Sequence, residues 1–233
     1  MLFYVVLWLL ISALIMPTRV RSRYRIRLWL AGIVYVFFAA TRDIIESPGL
    51  DALNYYRIYL AANQQLSKFI FTSTVEPGYT LFVWISYHLF HSHEVFLVLV
   101  YSFIYFSHVY FLRKIPGTHH AFFISGVITL NLFVAYYLQR NIIAVGFGLF
   151  AFLALFKKDY KKALLNILFA ISFHYSAVIL LPAYVSVFLF DRKEEIKVWK
   201  IVLFELVVVF GVYLASSFFF NFFETSRKYS YYN

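Results

Sequence analysis

Apolar residues run along this chain in blocks, at roughly 2–16, 28–41, 79–90, 95–112, 121–138, 141–156, 163–173, 176–190 and 201–223. Several of these blocks reach the roughly 18–20 residues that one helix needs to cross the hydrocarbon core of a bilayer. Within lipid only helices or closed barrels pair every backbone polar group, and the alternating pattern of barrel strands is absent. The pattern predicts an all-α, polytopic transmembrane helix bundle of about eight or nine membrane segments. Residues 1–233 are expected to form a single integral membrane domain, with no internal repeat. The longest polar stretch, 42–78, contains Ser47-Pro48-Gly49, a turn signal, and reads as an outer-face loop.

Charge sets the sidedness. Of the 21 lysines and arginines, 15 sit in 19–27, at 113–114, in 157–162 and in 192–200. Short basic loops stay cytoplasmic, so 42–78, Arg140 and His174 share the opposite face. Nine full crossings contradict that assignment, because they put 157–162 outside while 19–27 stays inside. One segment must therefore fail to cross. The block 78–90, at about 13 residues, is short for a span, and the expectation is eight crossings plus a re-entrant hairpin there. The first block lacks the leading positive charge of a signal peptide and reads as a retained span.

Composition narrows the chemistry. Hydrophobic residues make up 63% of the chain and charged residues 14%, too few to cover a soluble fold of this length. There is no cysteine, which removes thiol nucleophiles and cysteine metal sites. The net charge of +10 is explained by topology-setting loops against anionic lipid, so no nucleic-acid partner is expected. His88, His91 and His93, like His119 and His120, cluster without further ligands at metal-binding spacing, and neither a metal nor a cofactor is expected. No glycine-rich phosphate loop or nucleophile elbow is present.

Ionisable groups at membrane depth are costly and tend to be paired or functional. Arg42 and Asp43 end an apolar block, with Glu46 and Asp51 close behind, a pattern that also suits a solvated loop. Glu76 precedes Pro77 and Gly78, where an N-terminal helix cap accounts for it. Arg140, in Leu138-Gln139-Arg140-Asn141, lies in a turn too tight to be a generous aqueous loop. Its planar fork suits phosphate or carboxylate, and snorkelling to the interface is the plainer alternative. His174, in Phe173-His174-Tyr175-Ser176-Ala177, sits in another tight turn, either as a proton carrier or as a helix cap.

Taken in order, Arg42, Gly49-Leu50-Asp51, Asn54-Tyr55-Tyr56, Glu76-Pro77, Arg140 to Ala144 and Phe173 to Ala177 form a pattern that resembles the EpsG-like, Wzy-type polysaccharide polymerases of bacterial envelopes. That family shows an R-Q-x-x-A helix start, where this chain has Asn141 in place of Gln, and an F-H-x-S-A turn, matched in full. The resemblance implies a multi-pass protein of the bacterial cytoplasmic membrane. Its reaction would transfer a glycan from a polyprenyl diphosphate carrier to a lipid-linked repeat unit at the outer face. Arg140, His174, Asp51 and Glu76 are then the expected catalytic residues, and Arg42, Tyr55, Tyr56 and Asn141 the expected substrate-binding ones. The implied partners are the polyprenyl diphosphate-linked oligosaccharide, membrane lipid, and a chain-length regulator or other envelope assembly proteins. The resemblance implies further helices past the equivalent of 225–229, so the expectation is a natural short form or a truncated product. The competing expectations are a lipid-linked oligosaccharide flippase, a membrane acyltransferase and a non-catalytic assembly subunit.

Overall fold

A computed structural model describes residues 2–15, 21–41, 51–114, 126 and 129–190. Those residues form helices and connecting turns, with no strand among them. The chain falls into two compact units, Met1–Ala177 and Val178–Asn233. The first holds α1 (Leu2–Ile15), α2 (Arg21–Ala40), α3 (Ala52–Ala61), α4 (Leu66–Thr72), α5 (Pro77–Phe90), α6 (His93–Leu112), α7 (Gln139–Phe156) and α8 (Tyr160–Phe173). A 3-10 helix, Tyr175–Ile179, leads into α9 (Leu180–Phe190), the described helix of the second unit. Arg42, Gly49, His119, His120 and 191–233 lie outside the described residues, and so do most of 115–128.

Among the described residues two helices, α6 and α7, are long and apolar enough to cross a membrane, at 20 and 18 residues. On α6, Phe96, Leu97, Val100, Tyr101, Ile104 and Leu112 are buried, the three-and-four spacing of a helix face turned to a core. Tyr35 of α2 is fully buried against it, edge-on to Tyr101 at 5.9 Å and stacked on Tyr105 at 6.0 Å. Its hydroxyl donates to the Leu132 carbonyl at 2.7 Å, so the buried phenol keeps a partner.

These contacts fix direction as well as proximity. Tyr35 meets Tyr101 while Leu28, seven residues earlier, accepts from the Tyr105 hydroxyl, so α2 runs antiparallel to α6. Phe103 packs on Phe147 at 4.8 Å and Phe111 on Phe152 at 6.0 Å, so α6 and α7 run parallel. A tight turn with Lys158 in the left-handed region (φ 57°) reverses the chain into α8. The start of α2, the ends of α6 and α7 and the start of α8 therefore share one end of the unit. Arg25, Arg27, Arg113, Lys114, Lys157, Lys158, Lys161 and Lys162 all belong to it.

Three local expectations are corrected. The basic run at 19–27 is not simply a loop, because α2 begins at Arg21 and takes Arg21–Arg27 into its first turns. Arginine is a good helix former, so the helix extends past its apolar block. The stretch 42–78 is not a plain loop either. Ala52, Tyr55 and Tyr59 bury one side of α3, and α4 follows it. Finally, 78–90 is not a hairpin but part of one continuous helix, α5, of 14 residues. Pro77 opens it, where a missing N–H costs nothing, and left-handed His91 ends it.

The reversal lies just upstream. Trp84 Nε1 donates to the Gln64 carbonyl at 3.0 Å, and Ser73 and Thr80 share a hydroxyl hydrogen bond of 2.9 Å. Helix α4 thus runs down beside α5, and residues 73–76 turn the chain back. Glu76 sits at the tip of that α4–α5 hairpin. The tip is clasped by the end of α8, because Gly78 lets the Ser172 backbone come close. A Cβ on Gly78 would lie 2.7 Å from the Ser172 carbonyl oxygen, which cannot retreat without moving α8.

That close approach makes Gly78→Ala a sharp test of the packing. The substitution should cost about 1–3 kcal/mol as an overpacked contact, read as a fall of several degrees in the Tm of the purified protein. Gly126→Ala, where a Cβ would meet nothing within 4 Å, should not lower it. Equal Tm values for the two variants would contradict the clasp.

Candidate active site at the hairpin tip

Glu76 occupies the N-cap position of α5, but its side chain makes no cap hydrogen bond. It turns instead toward two distant segments, so the simple capping role expected for it is only its backbone position. One carboxylate oxygen, Oε2, pairs with Arg140 Nη1. The other, Oε1, accepts from His174 Nδ1 at 2.9 Å and from the Tyr175 backbone N–H at 3.3 Å. Glu76 itself is 4% exposed, while the Arg140 and His174 side chains keep 23% and 27% of their surface. The carboxylate is thus the hidden centre of the cluster, and its two partners are the parts an incoming molecule can touch.

Local structure delivers each partner. Arg140 lies in the first turn of α7, not in a turn ahead of it, because the helix begins at Gln139. His174 is the extended C-cap of α8 (φ −157°, ψ 117°), and the break into the 3-10 helix frees the Tyr175 N–H. Since α7 and α8 form an antiparallel hairpin, these two residues emerge side by side at its open end. The α4–α5 tip meets them there.

The electrostatics follow from that packing. Burial pushes the Glu76 carboxyl up, but the His174 hydrogen bond, its own backbone N–H, the Arg140 charge and the Tyr175 N–H outweigh it and hold the group at about 2. Such a carboxylate is a poor proton acceptor near neutral pH. It is well suited to orienting His174. A carboxylate oxygen only accepts, so Nδ1 must carry the proton, and a neutral His174 presents Nε2 as its basic nitrogen. Arg140 spends one nitrogen on Glu76, and its Nε is buried without a hydrogen-bond partner.

The other expected residues divide. Tyr55 is buried with its ring 5.7 Å from the Arg140 guanidinium carbon and 5.7 Å from the Tyr79 ring, within cation–π range. Burial raises its phenol above the usual value, against the pull of Arg140, so it stays protonated at neutral pH. Tyr56, its neighbour, points elsewhere and meets His93 edge-on at 4.8 Å. Successive helical residues diverge by about 100°, which separates the two tyrosines. Asp51 caps the start of α3 through its backbone, and its carboxylate joins none of the hydrogen bonds of the cluster. Asn141 is half-buried and likewise bonds none of these groups. Arg42 lies outside the described residues.

Three residues not anticipated as site residues, Gln139, Tyr79 and Tyr101, hold the site from below. Gln139, 1% exposed, donates from Nε2 to the Tyr101 hydroxyl at 3.0 Å and accepts from the Tyr79 hydroxyl at 3.3 Å. This chain ties α5, α6 and α7 together one residue before Arg140. A glutamine next to an arginine carries no local signature of burial, and only the partners on two other helices reveal its role. Among the described residues there is no group of three or more His, Asp or Glu side chains able to hold a metal ion.

Glu76→Gln should destabilise the protein by about 2–4 kcal/mol, since it leaves Arg140 uncompensated in a half-buried site. The pH dependence has a definite sign. A carboxyl lowered from 4.5 to about 2 stabilises the fold above its ordinary value, and that contribution is lost as pH falls toward 2. The difference in Tm between wild type and Glu76→Gln should be constant from pH 5 to 8 and shrink below pH 4.5. A difference that instead vanished near neutral pH would contradict the assigned ionisation.

No curated protein and no solved structure matches the chain. A family model does, over residues 26–233, most of the chain's length. With its helical hairpin tip, its Arg140 helix start and its His174 turn, the chain belongs to the EpsG family.

Proposed function

We propose that the protein is a polysaccharide polymerase of the bacterial cytoplasmic membrane, transferring a glycan from a polyprenyl diphosphate carrier to a lipid-linked repeat unit at the outer face. Membership of the EpsG family supports a role in polysaccharide biosynthesis. The observation that carries the chemistry is the single Glu76 carboxylate shared by Arg140 and His174. It sets a permanent cation and a proton acceptor within one carboxylate's width of each other, both partly exposed.

The reaction needs those two groups. An acceptor hydroxyl oxygen attacks the anomeric carbon of the donor sugar, and the bond from that carbon to the diphosphate oxygen breaks. The electron pair leaves with the diphosphate, where the partly exposed guanidinium of Arg140 meets the developing charge. The hydroxyl proton passes to Nε2 of His174, whose ring Glu76 holds in the right tautomer. Tyr55, buried beside Arg140, limits the swing of its guanidinium. Of the three acids and bases expected for proton transfer, His174 is favoured over Asp51, which is not in the cluster, and over Glu76, whose affinity for protons is too low.

The same reading assigns a topology. The clustered basic ends of α2, α6, α7 and α8 lie on the cytoplasmic side, following the positive-inside rule. Helix α2 then ends and α6 begins on the outer side, so α4 and α5, reversing at 73–76, dip in from that face and return to it, and the Glu76 tip is reached from the outer side. Eight crossings with one re-entrant α4–α5 hairpin satisfy both constraints.

The test is extension of a polyprenyl diphosphate-linked oligosaccharide by the purified protein in liposomes. Wild type should lengthen the glycan. Arg140→Ala and His174→Asn, shown by Tm to be folded, should lose at least about 100-fold of the rate. Movement of the substrate between leaflets without extension would favour a flippase, and neither outcome an assembly subunit. Normal extension by both variants would remove the proposed site.

A further inference from the structure

On the face of α6 away from α5, a groove of about 630 Å³ opens between α2 and α6. Its walls are apolar, and Trp29, Ile33, Phe37 and Phe106 line it at 75%, 63%, 58% and 58% exposure. Gly32 forms part of the floor, where the Tyr105 ring lies against its backbone, so no side chain from that position fills the space. At one end stand Arg25 and Arg113. Neither has a carboxylate partner among the described residues, whereas Arg140 has Glu76.

We propose that this groove holds one acyl chain of an anionic glycerophospholipid from the leaflet at the basic end, with its phosphate between Arg25 and Arg113. Three features select that occupant. The groove runs from Arg25 to Phe37 along α2, about 18 Å at 1.5 Å per residue, close to the roughly 15 Å depth of a single leaflet. Its two guanidiniums, without a carboxylate partner among the described residues, sit at the basic end, where an anionic headgroup is the complementary ligand. Its charged mouth lies at the end of the unit opposite the Glu76 cluster. A polyprenyl chain serving Arg140 would bring its diphosphate to that cluster and leave Arg25 and Arg113 unanswered. Among the described residues the groove's walls are exposed sideways, which gives a lipid entry from the bilayer.

The inference rests on the membrane orientation given above but not on polymerase activity, and its test reads lipid binding alone. Purified full-length protein in detergent is titrated with dioleoyl phosphatidylglycerol and with dioleoyl phosphatidylcholine, and bound lipid is counted by native mass spectrometry. Wild type should favour the anionic lipid by about 30-fold, the contribution expected of two interfacial arginines. Arg25→Gln/Arg113→Gln should lower that preference to near unity, and Arg25→Lys/Arg113→Lys should keep most of it. Val36→Trp, which fills the groove, should weaken both lipids. Equal binding of the two lipids by wild type overturns the proposal, and this arm needs no variant to fold. So does a preference that survives Arg25→Gln/Arg113→Gln, or displacement of phosphatidylglycerol by polyprenyl phosphate with no dependence on the arginines.

Discussion

A carboxylate sealed inside an apolar bundle persists only if donors surround it, and Glu76 draws its donors from residues 64, 98 and 99 positions away. Much of the arrangement of the first unit follows from meeting that demand. Helix α5 must end its tip beside α8, which requires Gly78 against Ser172. The α7–α8 hairpin must open toward the tip, which requires its turn to sit at the far, basic end. The Tyr79–Gln139–Tyr101 chain then locks the three helices in register. Removing Glu76 would leave a half-buried guanidinium without its counter-charge and an imidazole without its orienting partner.

The same constraint explains why the site combines hidden and accessible parts. A carboxylate held at about 2 cannot itself move protons near neutral pH, so its chemistry is exerted through others. It fixes which nitrogen of His174 carries the proton, and it restrains Arg140 while leaving the guanidinium partly exposed. A diphosphate arriving at that exposed part would compete with Glu76 for the same cation. The proposed donor would thus be met by a cation already poised and already desolvated on one side, which is electrostatic preorganisation in its simplest form.

Much of this was legible in the chain. Apolar block lengths and basic loops predicted helices with their positive ends gathered together, and α2, α6, α7 and α8 are so arranged. The tight turns around Arg140 and His174 marked both residues as out of place in apolar surroundings. Glu76 resisted, because an acid before Pro-Gly is adequately explained as a helix cap, and its true partners are far away in sequence. The shortness of 78–90 points to a hairpin, but that block is one continuous helix. The reversal falls at 73–76, where a run of polar and β-branched residues looks like ordinary loop. Helix α3 was hidden for a related reason, since Asn54 and Arg57 interrupt the apolar pattern that Tyr55 and Tyr59 carry. Gln139 had no local mark at all.

The central claim is that Glu76 and His174 act as one unit. A double-mutant cycle on glycan extension measures this directly, comparing Glu76→Gln, His174→Asn and the two together in protein shown to be folded. If the carboxylate works by orienting the imidazole, losses of about 100-fold in each single variant should combine to little more than about 100-fold in the double variant. Losses that multiply to about 10,000-fold would show two independent groups and contradict the account.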